Sequence, residues 1–209
     1  WTYESNISAK DSHVVICPVE PLNLPDSVTD FLEIDFSEIK IQPESKCVVF
    51  LTFPLEIGIF VETEDHSTDI LDVVSFVYPK YSLYGQASRG VITRWHKSEV
   101  YYNLPAVKNY EYGVMRLEIE NKSTEWVEIG KTIIYMKGLT LYYDGVCVCA
   151  SASMTVTSEN TASVTGVDTA LNCDMLPCLS TFTARKVYDF YNINEMLTDT
   201  TFIMDMGLL

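Results

Sequence analysis

The stretch Met115-Arg116-Leu117-Glu118-Ile119-Glu120 sets an apolar residue at every second position and a charge at the positions between. Successive side chains of a strand point to opposite faces. The period of two therefore puts Met115, Leu117 and Ile119 on a dry face and Arg116, Glu118 and Glu120 on a wet one. A helix would need its apolar residues three and four apart. The pattern returns in Phe31-Leu32-Glu33-Ile34-Asp35-Phe36, in Val127-Glu128-Ile129 and in Met154-Thr155-Val156-Thr157. Abundant valine, isoleucine and threonine, with 13 tyrosines, add to the strand preference.

Outward from these runs the turns are legible. Asp144-Gly145 stands between Leu139-Thr140-Leu141-Tyr142-Tyr143 and Val146-Cys147-Val148-Cys149-Ala150, a hairpin signal. A two-residue turn pairs Tyr143 with Val146, Tyr142 with Cys147, Leu141 with Val148 and Thr140 with Cys149. Asn121-Lys122-Ser123-Thr124 is read as joining two antiparallel strands, and Pro43-Glu44-Ser45 as a second turn. Pro18, Pro21 and Pro25 make residues 17–26 a connector. Residues 151–169 read as strands. Helix is scarce, with its best candidate at 187–197. The expectation is an all-β fold, an antiparallel β-sandwich, immunoglobulin-like or elaborated, with little helix, mostly near the C-terminus. Residues 1–209 are read as one sandwich domain with a C-terminal extension from about 170. The alternative is two small β domains in tandem.

The chain of 209 residues carries a formal net charge of -15 and is 47% hydrophobic. That composition builds a core. Its field repels phosphate, so nucleic acid is not an expected partner. No apolar run approaches the roughly 18–20 residues of a membrane helix. The chain begins at Trp1, which is compatible with a removed signal peptide. Asn6-Ile7-Ser8 and Asn121-Lys122-Ser123 fit the glycosylation acceptor pattern. Six cysteines, in a chain large enough to fold without staples, read as reduced thiols acting as small buried hydrophobes, with disulfides in an oxidising compartment as the alternative, and the compartment is read as cytoplasmic.

Catalytic motifs fail. Gly130-Lys131-Thr132 lacks the earlier glycine of a phosphate loop and falls in a strand. Gly85 to Gly90 has the wrong spacing for a nucleophile elbow. His13, His66 and His96 are scattered. Glu62, Glu64, Asp65, His66, Asp69 and Asp72 crowd oxygen donors but lack calcium-loop spacing, and read as a solvated acidic loop. Cys147 and Cys149 share a strand face, and a zinc site with Cys173 and Cys178 is the weak metal alternative. No cofactor is expected.

The window from Tyr78 to Tyr102 differs from the rest. Between Lys80 and Lys97 it has no acid, and it holds two of the four arginines, Arg89 and Arg94. Arginine beside tyrosine and tryptophan offers cation–π and bidentate anion contacts. Tyr81, Tyr84, Arg89, Arg94, Trp95, His96 and Lys97 are therefore the candidate binding residues for a protein partner or acidic ligand. On this reading Arg94→Glu abolishes partner capture and leaves the fold intact. Aromatics that stack on sugars make a carbohydrate-binding or envelope-associated domain one alternative. An enzyme with a fold-assembled or metal site is another. Valine- and threonine-rich edges would allow a homodimer.

Tyr84-Gly85, Arg89-Gly90-Val91-Ile92-Thr93-Arg94 and Ser98-Glu99-Val100-Tyr101 carry a resemblance. So do Pro54-Leu55-Glu56-Ile57-Gly58, residues 121–127 and Leu141-Tyr142-Tyr143-Asp144. Together, over roughly residues 20–170, the chain resembles an uncharacterised archaeal family of unknown function. The resemblance implies an archaeal source and a cytoplasmic or membrane-associated setting, with an accessory role beside a membrane channel as a minor alternative. It supplies no activity, cofactor or catalytic residue.

Overall fold

In the computed structural model, residues 13–24, 28–62, 67–158 and 161–186 are described. They form β1 (His13–Val19), β2 (Phe31–Ile41), β3 (Ser45–Pro54), β4 (Glu56–Glu62), β5 (Thr68–Ser75), β6 (Tyr81–Tyr84) and β7 (Val91–Lys97). β8 (Tyr112–Asn121), β9 (Val127–Tyr135), β10 (Tyr142–Tyr143), β11 (Val148–Ser158), β12 (Thr161–Val167), β13 (Leu176–Pro177) and β14 (Arg185–Lys186) follow. A single 3-10 turn at Met136–Gly138 interrupts them. The helix expected over 187–197 lies outside the described residues.

The strands make three sheets: β1-β4-β5-β14; β13-β10-β11-β8-β3, with β12 also on β11; and β6-β7-β2-β9. The second and third face each other as a sandwich. Leu32 and Ile34 of β2, Leu51 and Phe53 of β3, Leu117 and Ile119 of β8, and Ile134 of β9 meet in one core. Each buried aliphatic side chain there contributes about 1.5–3 kcal/mol. β2 illustrates how register is held. Its pairing shifts between Asp35 and Ile39, so the core face moves from Leu32 and Ile34 to Ile39 and Ile41, and both halves stay inward. The sheets are mixed rather than purely antiparallel: β7 runs parallel to β2, β11 to β8 and β14 to β5. In each case a long intervening segment allows the strand to return in the same direction.

Asn121 explains one corner of the sandwich. Residues 121–127 do not join paired strands as expected. They carry the chain from β8 in the second sheet to β9 in the third. Beside them the turn at Glu44, whose φ is 53°, carries β2 into β3. The Asn121 amide donates to the carbonyls of Ile41, Gln42 and Glu125, and its oxygen accepts from the Ser123 N–H and hydroxyl. Asn121 is 1% exposed. Its place in the acceptor triplet is therefore a corner stitch, with the amide already spent. Asn6 lies outside the described residues.

The Asp144-Gly145 hairpin forms with a longer loop than expected. Tyr143 pairs with Val148 and Tyr142 with Cys149, two residues beyond the two-residue register. The Asp144 carboxylate accepts from the Val146 and Cys147 N–H groups at 3.0 and 2.8 Å, which closes a four-residue loop. A slip of two leaves the faces unchanged, so Leu141, Val148 and Ala150 still enter the core. The first sheet has its own smaller core of Val19, Phe60, Ile70 and Val73. β3 runs into it through Pro54-Leu55, so β4 begins at the joint between sandwich and third layer. Pro18 sits on β1, an edge strand, where its missing N–H breaks no central ladder.

Candidate functional site

β6 and β7 build the acid-free window as an antiparallel hairpin at the edge of the third sheet. Tyr81 pairs with Arg94, Ser82 with Thr93 and Tyr84 with Val91. Strand alternation then divides the residues of the paired strands. Tyr81, Arg94 and His96 point inward. Thr93, Trp95 and Lys97 point outward. Gly85 to Gly90 form the tip, turned by Gly85 at φ 97° and closed by Arg89 and Gly90 N–H bonds to the Gln86 carbonyl.

The inner residues fasten the hairpin to the joint. Arg94 is 1% exposed and Glu56 is fully buried, with Nη1 2.9 Å from Oε1. Arg94 also donates to the Leu24 carbonyl at 3.1 Å, and the Asn23 N–H donates to Glu56 at 2.8 Å. Burial pushes the Glu56 carboxyl up, against the pull of the Arg94 guanidinium and the Asn23 N–H. Arg94 is thus not on the contact surface that its sequence neighbours suggested. Arg94→Glu would set two carboxylates together in the interior, and the expected result is loss of the fold. Tyr81 is buried as well, its hydroxyl 3.4 Å from the Leu24 carbonyl. His96 Nε2 lies 3.2 Å from Thr52 Oγ1 on β3, and its ring is 5.6 Å from that of Tyr112. Burial, with the Arg94 and Lys80 charges, holds the His96 imidazole down at about 4.

The outer face carries a polar ladder that the alternation alone did not reveal. Glu33 on β2 is only 3% exposed, although its parity reads as wet. Its Oε2 accepts the Ser82 and Thr93 hydroxyls at 2.5 and 2.6 Å, and Oε1 lies 3.2 Å from Lys131. Burial opposes ionisation of Glu33, but the two hydroxyls and the Lys131 charge outweigh it and lower its carboxyl below the usual range. Trp95 donates to Asp35 at 2.7 Å and lies under the Lys80 ammonium, 5.5 Å from the ring centre. Lys131, from the failed phosphate-loop motif, is therefore a strand residue paired with Glu33 and Asp35.

The tip is different again. Tyr84, Val91 and Ile92 are 48%, 43% and 41% exposed, and Arg89 is exposed beside them. Of the seven candidates, Tyr84, Arg89 and Lys97 stand in solvent, and Trp95 is half-buried.

Among the described residues the other candidates do not assemble a centre. Cys149 is buried with Sγ 3.2 Å from the Met175 sulfur, and Cys173 is exposed. Cys147 and Cys178 are half-buried. Among the described residues no three His, Cys, Asp or Glu side chains are gathered so as to hold a metal ion. Residues 63–66 of the acidic loop lie outside the described residues, and Asp72 accepts the Val73 N–H at 2.8 Å. Among the described residues no helix is long and apolar enough to cross a membrane.

Fold and site together define an all-β sandwich, with the first sheet packed as an additional layer and a basic, aromatic hairpin at the edge of the third sheet. Over residues 1–205 the chain matches a family described as a protein of unknown function (DUF432), and it belongs to that family. The match reaches past residue 170, where the sequence resemblance ended, and takes in the cysteine-bearing tail. Comparison with curated proteins and with solved structures gave no match.

Proposed function

We propose that the chain is a non-enzymatic interaction module whose β6–β7 hairpin tip receives an acidic surface of a protein partner. One observation carries this reading: Tyr84, Val91 and Ile92 stand in solvent beside Arg89, within a segment free of acids in a chain of charge -15. Arg89 is able to grip a carboxylate through two N–H groups, and Tyr84 adds a rigid apolar contact. Lys97 and Lys80 extend the positive field along the outer face. Repulsion from the rest of the molecule orients an acidic partner onto this one region. Tyr81, Arg94 and His96 belong to the same hairpin as its anchors. The archaeal source and the cytoplasmic or membrane-associated setting implied by the resemblance go with this reading, and six unpaired thiols favour the cytoplasmic setting.

A photoreactive phenylalanine analogue placed at position 84 in the source cells tests it, with position 126, an exposed tryptophan away from the hairpin, as control. The expected result is a discrete cross-linked heteromeric product from position 84 that disappears with Arg89→Glu. A product of twice the subunit mass would reassign the tip to self-association. Equal products from both positions, or indifference to Arg89→Glu, would remove the reading.

A further inference from the structure

Beside β1, the edge strand of the first sheet, lies an open pocket of about 320 Å³, lined among others by Val15, Cys17, Tyr143, Leu176 and Cys178. It is bordered on one side by β1 and on the other by β13 and the segment that follows it. That segment is held to the sandwich by the Cys178 N–H, which donates to the Leu141 carbonyl at 2.8 Å. The Cys17 thiol, from β1, hydrogen-bonds the backbone of Leu179, the residue next to Cys178. Two cysteines 161 positions apart in sequence thus open onto one space. Both are half-buried, so a small reagent reaches them through the cavity while the protein interior does not seal them. Cys149, a further thiol, is enclosed against Met175.

We propose that Cys17 and Cys178 form an oxidisable pair, a thiol modification site at which a small-molecule disulfide closes a covalent bridge between β1 and the tail segment. The chemistry is two successive exchanges. One cysteine thiolate attacks the reagent disulfide, forming a mixed disulfide and releasing one small thiol. The second cysteine thiolate attacks the mixed disulfide at the protein sulfur, forms the Sγ–Sγ bond and releases the second small thiol. Two electrons pass from the cysteines to the reagent, and the two thiol protons end on the released thiols. The bridge would tie the first sheet, with its small core, to the sandwich through the tail.

The environment also fixes the rate. Burial pushes the Cys17 thiol up to about 11, with the Glu20 carboxylate adding to it, and the Cys178 thiol up to about 12, with the charges of Cys17 and Glu20 adding to it. Thiolate is scarce at neutral pH, so the first exchange is slow there. It speeds up about tenfold per pH unit between pH 7 and 9.

The test treats the full chain with glutathione disulfide at pH 8 and reads thiols, mass, peptide map and melting. The expected product loses two of its six thiols and two hydrogens in mass. Its unreduced peptide map links Cys17 to Cys178. Its melting temperature rises by about 5–10 °C and returns on reduction. Cys17→Ser and Cys178→Ser each stop at a mixed disulfide that carries one glutathione. Unchanged thiols, a link involving Cys149, bridges only between molecules, or two-thiol loss surviving in Cys17→Ser would overturn the proposal. Should either variant fold poorly, the wild-type peptide map alone decides.

Discussion

The base and the tip of the β6–β7 hairpin share composition and differ in everything that decides their role. At the base, Arg94 meets Glu56 away from water and joins the sandwich to the first sheet. At the tip, Arg89 stands in solvent with Tyr84, and both faces of the ribbon are wet. Two arginines five residues apart thus hold opposite positions. An arginine's meaning lies in what faces it across the sheet, and composition alone carries little of that information.

The largest expected effect comes from the base. Arg94→Ala leaves the Glu56 carboxylate buried without its cation, which costs about 3–5 kcal/mol in denaturant unfolding. Arg94→Met with Glu56→Gln, which keeps an acceptor for the Asn23 N–H, should recover at least half of that loss. A double variant no better than the single would show that the two side chains are not coupled.

Acid titration of stability sharpens the same contrast. The folded His96 imidazole sits at about 4 against an ordinary 6.5, so the unfolded chain takes up this proton first. Stability is full above about pH 6.5 and falls as pH drops towards 4, by about 3 kcal/mol from this group. The depressed Glu33 carboxyl adds loss in the same direction at lower pH, while the raised Glu56 carboxyl, beside Arg94, works against it. His96→Gln should flatten the slope between pH 6.5 and 4. An unchanged slope would assign it to other groups.

On the outer face, Trp95→Phe removes the bond to Asp35 while keeping most of the ring, at an expected cost of about 1 kcal/mol. Smallest of all, Tyr84→Ser should shift stability by no more than about 0.5 kcal/mol while weakening the proposed contact. A larger loss would mean that the tip is packed rather than free.

How much of this was legible follows from what each residue's reading requires. The period of two across Met115 to Glu120 needs no partner, and β8 follows it residue by residue, with Met115, Leu117 and Ile119 buried. Loop length at Asp144-Gly145 depended on the Asp144 carboxylate capping two N–H groups, which a two-residue template does not contain. The burial of Arg94 depends on Glu56, which lies 38 residues earlier and in another sheet. One signal did exist: Glu56 is the one charged residue between Cys47 and Val61, and a single acid in so apolar a run needs a buried counter-charge. Glu33 was hidden for a similar reason. Its donors come from β6, β7 and β9, strands whose adjacency only the fold creates.

The division of the hairpin is tested most directly by one substitution made at two positions, Arg89→Glu and Arg94→Glu, compared by thermal melting. Arg89→Glu is expected to melt within about 2 °C of the parent chain, and Arg94→Glu to fall by more than about 10 °C or fail to fold. Equal melting of the two variants would contradict this division, because base and tip would then be the same kind of surface.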